Sequence, residues 1–134
     1  MNFELTVKER SSESEFKAHV VHMIINGDAE GALELLARRY NINPPELRVG
    51  LPRGRRKGVS ALYTGGDHTI HVFNSDVLQQ PFTILHEFYH HLRTSTAERH
   101  KGTEHHADAF AREFIESYSS LTGNAAKNSN QTTH

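Results

Sequence analysis

The chain has no cysteine, so it can form no disulfide framework and offers no thiolate to a metal. It also lacks a long apolar run: no stretch approaches the roughly 18 residues that a membrane span requires. Met1-Asn2-Phe3-Glu4-Leu5 has neither the charged region nor the apolar run of a signal peptide, and cytoplasmic residence is the resulting expectation. Charge of one sign is missing too. A net charge of −1 gives no general attraction to nucleic acid. Hydrophobic residues make up only 36% of 134, enough for one core but leaving no room for a large binding apparatus. The one concentration of positive charge is Arg53, Arg55, Arg56 and Lys57, set among Gly54, Gly58 and Pro52. A solvated loop between strands accounts for that composition better than a nucleic-acid contact does.

What the chain has in quantity is histidine, 11 in all, and one group of them is ordered. In His86-Glu87-Phe88-Tyr89-His90 two imidazoles stand four residues apart with a carboxylate between. On a helix that spacing puts their Cβ atoms about 5 to 6 Å apart, close enough to share one ion, and leaves Glu87 offset as a base. Such a pattern arises by accident about 0.08 times in a chain of this composition, so context decides. Phe82, Leu85, Tyr89 and Leu92 recur at helical spacing, and the expected core stripe they form is flanked by His86 and His90. A pair of ligands bordering a buried face suits a catalytic metal. A random solvated histidine face has no reason to lie there.

Catalytic zinc takes three protein ligands and keeps one position open, so a third donor must come from elsewhere. Thr103-Glu104-His105-His106-Ala107-Asp108 opens a second helix, with Thr103 suited to the N-cap and Ala107, Ala111, Phe114, Ile115 and Tyr118 repeating as an inward face. Glu104 shares that azimuth, whereas His105 and His106 point about 100° and 200° away from it. The carboxylate is therefore favoured, with His105, His106 and His100 as chemically reasonable alternatives. Asp108, one turn on, is placed to accept the second ring proton of a liganding histidine.

His86-Glu87-x-x-His90 followed by Glu104-x-x-x-Asp108 resembles the gluzincin class of zinc metallopeptidases, in which a downstream glutamate is the third ligand. More narrowly, Thr83-Ile84-Leu85-His86-Glu87-x-x-His90 with Glu104-x-x-Ala107-Asp108-x-Phe110-Ala111 is similar to the ImmA/IrrE family of intracellular peptidases and to the small archaeal minigluzincins. The similarity spans Ile70 to Tyr118. It implies a compact zincin-like fold with an active-site helix and a third-ligand helix, a Zn²⁺ cofactor and a polypeptide substrate.

Along the rest of the chain, Phe3, Leu5 and Val7 alternate as a first strand would, and Ser12-Glu13-Ser14-Glu15 is a capping-box pattern that predicts a helix start. Phe16, Val20, Met23 and Ile24 form its apolar stripe, Gly27 stops it, and Asp28 caps a second helix carrying Leu33, Leu36, Ala37 and Tyr40. Asn43-Pro44-Pro45 ends that pattern. Leu47, Val49 and Leu51 alternate, as do Val59, Ala61 and Tyr63, which predicts a hairpin around the basic loop. After the turn at Thr64-Gly65-Gly66-Asp67 a strand is expected over 69–74, and Ser75 or Asp76 begins the approach to Pro81. From Ser119 to His134 the chain is polar without periodicity and is expected to be a disordered tail, leaving residues 1–118 as the domain. Such a tail can fold over a cleft and offer His134 to a metal, so latency is compatible with the sequence.

This order of elements predicts an α+β domain with a small sheet. If the 69–74 strand is a sheet edge, an extended peptide can add to it and be held near the metal with little demand on its side chains. The expected chemistry is hydrolysis with zinc on His86, His90 and Glu104, and Glu87 as general base. Tyr63, His71, Tyr89 and His91 are candidates by type for stabilising an oxyanion, His91 the weakest because it lies across the helix from the ligands. Two alternatives belong to other classes: a non-catalytic zinc-containing regulatory module, and a nucleic-acid-associated protein using loop 53–57. Glu87 argues against the first, since a structural zinc site needs no base. The second requires binding that falls steeply with salt.

Overall fold

The computed structural model describes residues 7–54, 58–95 and 103–130, which form an α+β domain. Helix α1 (Val7–Ile25) and α2 (Ala29–Tyr40) precede three short strands, β1 (Glu46–Val49), β2 (Ala61–Thr64) and β3 (Thr69–Val72). A 3₁₀ turn at Ser75–Gln79 leads into α3 (Pro81–Ser95), and α4 (Thr103–Asn130) follows. No described helix is long and apolar enough to cross a membrane.

The helix boundaries have local causes. Gly27 takes φ +90°, a left-handed conformation that glycine adopts without a Cβ clash, and the chain turns there between α1 and α2. Asp28 caps α2 as expected, its side chain accepting a hydrogen bond from the Gly31 N–H at 3.0 Å. Asn41 closes α2 in the left-handed region ahead of Pro44 and Pro45. Pro81 occupies the first position of α3, where a missing N–H leaves no bond unmade.

Helix α1 departs from expectation at its start. It is already helical at Val7, so the pattern at Ser12–Glu15 lies inside it and is no cap, and Val7 belongs to no strand. The rest of the expected first strand, Phe3 and Leu5, lies outside the described residues. Tertiary packing explains the longer helix. α1 lies along α4, with Lys17 paired to Glu113 at 2.9 Å and Phe16 edge-on to Phe114 with ring centres 6.4 Å apart. Packing of this kind outweighs a capping preference of about 1 kcal/mol.

The sheet order is β1-β3-β2: β3 pairs parallel with β1 (Leu47 opposite Ile70) and antiparallel with β2 (Tyr63 opposite Ile70). The expected β1–β2 hairpin does not form. Its long connection steps across one strand position, and β3 fills the gap. For the same reason the 69–74 strand is no edge; it ends at Val72 and is hydrogen-bonded on both sides. Strand β2 is an edge of the sheet, and α3, which carries His86 and His90, packs on β2 more extensively than on β3.

Val20, Ile24, Leu33, Leu36, Ile70, Val72, Ile84, Leu85, Phe88 and Phe114 are wholly buried and form one core between the helices and the inner sheet face. Each such side chain contributes about 1.5 to 3 kcal/mol by leaving water. On α3 the buried stripe is rotated from the predicted one: Ile84, Leu85, Phe88 and Leu92 face inward, Phe82 is exposed and Tyr89 half-buried. The helix is covered on two sides, by the sheet and by α4, so its buried face is wider than one stripe can describe. Between α3 and α4 the Phe88 ring stacks on Phe110 at a centroid distance of 6.3 Å and Phe110 packs tilted on Phe114 at 4.9 Å, while the small, fully buried Ala107 and Ala111 allow the helices to approach closely. α4 continues to Asn130, well past Tyr118, so the tail expected from Ser119 is helical over most of its length; His134 lies outside the described residues.

Candidate metal centre

Because α3 and α4 are locked by that aromatic cluster, the first turn of α4 stands over the outer side of α3. Glu104 thereby meets both histidines of the motif. Its Oε1 lies 2.9 Å from His86 Nε2 and its Oε2 3.1 Å from His90 Nε2, and the two Nε2 atoms are 3.3 Å apart. His86 Nδ1–H donates to Asp108 Oδ1 at 2.9 Å, which turns the Nε2 lone pair of the neutral ring toward the other donors. The three atoms converge as the ligands of one cation would: three donors held about 2.0 to 2.1 Å from a tetrahedral ion stand about 3.3 Å apart. His86, His90 and Glu104 are the one such group of candidate ligands among the described residues, and their two nitrogens and one carboxylate oxygen fit Zn²⁺. His105 and His106 are exposed and outside this group, and His100 lies outside the described residues.

Electrostatics suit the same use. Burial pushes the His90 imidazole below its ordinary value, against the pull of Glu104, and so favours the neutral form that can ligate. Glu87 is 8% exposed, and this burial pushes its carboxyl up to about 7; His86 lowers it, Glu104 raises it further, and a bond from the Tyr63 main-chain N–H lowers it again. A carboxyl poised near neutrality beside a candidate metal site is suited to take and release a proton.

Three of the four candidates for the oxyanion donor, Tyr63, His71 and His91, are hydrogen-bonded elsewhere. Tyr63 donates its hydroxyl to His91 Nδ1 at 2.8 Å and accepts from His68 Nδ1 at 3.0 Å, while His91 Nε2–H donates to the Asn43 carbonyl at 2.7 Å. His91 is therefore a buried structural histidine, and burial lowers its affinity for a proton. His71 bonds Thr64 Oγ1 at 3.0 Å, and the Tyr89 ring packs on Phe110 with centres 5.4 Å apart. Of the four, Tyr63 alone borders the cleft of about 470 Å³ in which Glu87, His90 and Glu104 lie. A larger cavity of about 720 Å³ opens beside His68 and His91 and contains none of the three ligand candidates.

Two contributors went unread in the sequence. One is the Tyr63 main chain, which the pattern of side chains cannot reveal because its partner depends on strand pairing. The other is Arg93, which lines the cleft and stands three residues after His90 on the same helix. That spacing was visible. Comparisons with protein families, with curated proteins and with solved structures find no match for this chain.

Proposed function

We propose that this chain is a zinc-dependent metallopeptidase of the zincin type, with zinc held by His86, His90 and Glu104. The observation that carries the proposal is the convergence of these three donors within 4.8 Å of one another, with His90, Glu104 and the buried Glu87 lining an open cleft. Zinc held by these three residues would supply Lewis acidity and acidify the attacking water. Glu87 takes the proton of the attacking water and returns it to the leaving amine, which its raised proton affinity favours. Asp108 holds the His86 ring in the tautomer that ligates. The substrate is polypeptide, laid along the outer edge of β2, whose Ala61, Leu62 and Tyr63 border the cleft. Placement on β2 replaces the expected strand at 69–74, both sides of which are paired.

The test is hydrolysis of an unfolded protein by the zinc-loaded chain, with Glu87→Gln as control. The variant keeps size and metal but cannot accept the proton, so its rate falls by roughly 10² to 10⁴. Equal rates in wild type and variant would remove Glu87 from the mechanism.

A further inference from the structure

Arg93 is the single arginine or lysine among the described residues that line the cleft, and the proposed hydrolysis gives it no task. It follows His86 and His90 at intervals of seven and three residues, in the same row of α3. Its side chain folds back along the helix: Cζ lies 5.7 Å from the centre of the Tyr89 ring, one turn nearer the N-terminus. The guanidinium lies over that aromatic face, which limits its freedom. Its Nε is buried, so part of the charge faces protein rather than water. The other acidic or basic side chains on the cleft wall, Glu87, His90 and Glu104, all belong to the proposed metal site.

We infer that Arg93 is a specificity-determining residue that receives a carboxylate of the peptide substrate; the inference rests on the peptidase reading and names its substrate class. A guanidinium offers a carboxylate two parallel N–H donors, a match that neither a neutral amide nor a cationic side chain reproduces. Arg93, His90 and Glu104 line the same cleft, so the carboxylate that Arg93 receives belongs to the peptide segment lying in that cleft. Two sources share this chemistry, an Asp or Glu side chain and the free C-terminus of a short peptide.

The experiment measures peptide binding to the zinc-loaded full chain carrying Glu87→Gln, which stops turnover, and hydrolysis by zinc-loaded wild type. Probes are matched peptides with Glu or Gln near the centre, each with a free or amidated C-terminus. Peptides with the preferred carboxylate bind roughly 10- to 100-fold more tightly than their amide counterparts. Arg93→Gln abolishes the preference, Arg93→Lys keeps part of it, and Arg93→Glu shifts it toward peptides bearing Lys. A preference that follows the side chain assigns Arg93 to acidic sequences, and one that follows the terminus assigns it to chain ends. Equal binding of acid and amide peptides to the parent protein overturns the inference, as does a preference that survives Arg93→Gln. Binding is read without hydrolysis, so selective binding with no cleavage by wild type would sink the peptidase reading alone.

Discussion

Burying Glu87 has a cost in stability that can be measured without any metal. In the unfolded chain its carboxyl titrates near the ordinary 4.5, and in the folded chain near 7. The folded state thus holds this proton more tightly. Its contribution to stability is complete below pH 4.5 and is lost as pH rises through about 7, the reverse of a salt-bridged carboxylate. Each tenfold step in proton affinity is about 1.4 kcal/mol, so the full loss is about 3 kcal/mol, of which 2 to 3 falls between about pH 5 and pH 8. Glu87→Gln keeps the shape and removes the titration. Urea unfolding of both proteins in excess chelator should show the variant gaining about 2 to 3 kcal/mol on wild type from pH 5 to pH 8. His90 and His91, whose burial opposes protonation, weaken both proteins as pH falls through 6.5, and that effect largely cancels in the comparison. A stability gap that stays constant over this range would mean that Glu87 is not desolvated in the fold.

Two further substitutions test how the site is held. Tyr63→Phe removes the hydroxyl between His68 and His91 and leaves His91 Nδ1 buried without its donor, so thermal or urea unfolding should report a loss of about 1 to 3 kcal/mol while zinc stays bound. Ala111→Leu overfills the contact between α3 and α4, where Ala111 is fully buried; it should cost about 1 to 3 kcal/mol and also weaken zinc binding, because Glu104 reaches the histidines only when the helices are close. Unchanged zinc affinity in that variant would show that α4 places Glu104 independently of the packing.

The site was legible where it depends on a single helix. His86 and His90 are neighbours by helical geometry alone, and the azimuths of Glu104 and Asp108 follow from the apolar residues of their own helix. Sheet pairing was not legible, because β1 and β3 meet across the whole of β2 and its loops. A hairpin is the cheapest inference from two alternating segments, and here a third strand intervenes. His91 illustrates the same boundary. Its place across the helix from the ligands was predictable, but its bonds to Tyr63 and Asn43 join three separate segments. The buried stripe of α3 was misjudged for a related reason: a helix packed on two sides carries no single apolar face.

The central claim is that Glu104, and neither neighbouring histidine, completes the metal site, and a competitive chelator titration of zinc tests it most directly. Wild type should bind one zinc per chain, Glu104→Ala should lose most of its affinity, and Asp108→Ala should lose roughly 10- to 100-fold. His105→Ala and His106→Ala should bind zinc as wild type does. Loss of zinc from His105→Ala or His106→Ala, with retention by Glu104→Ala, would contradict the account.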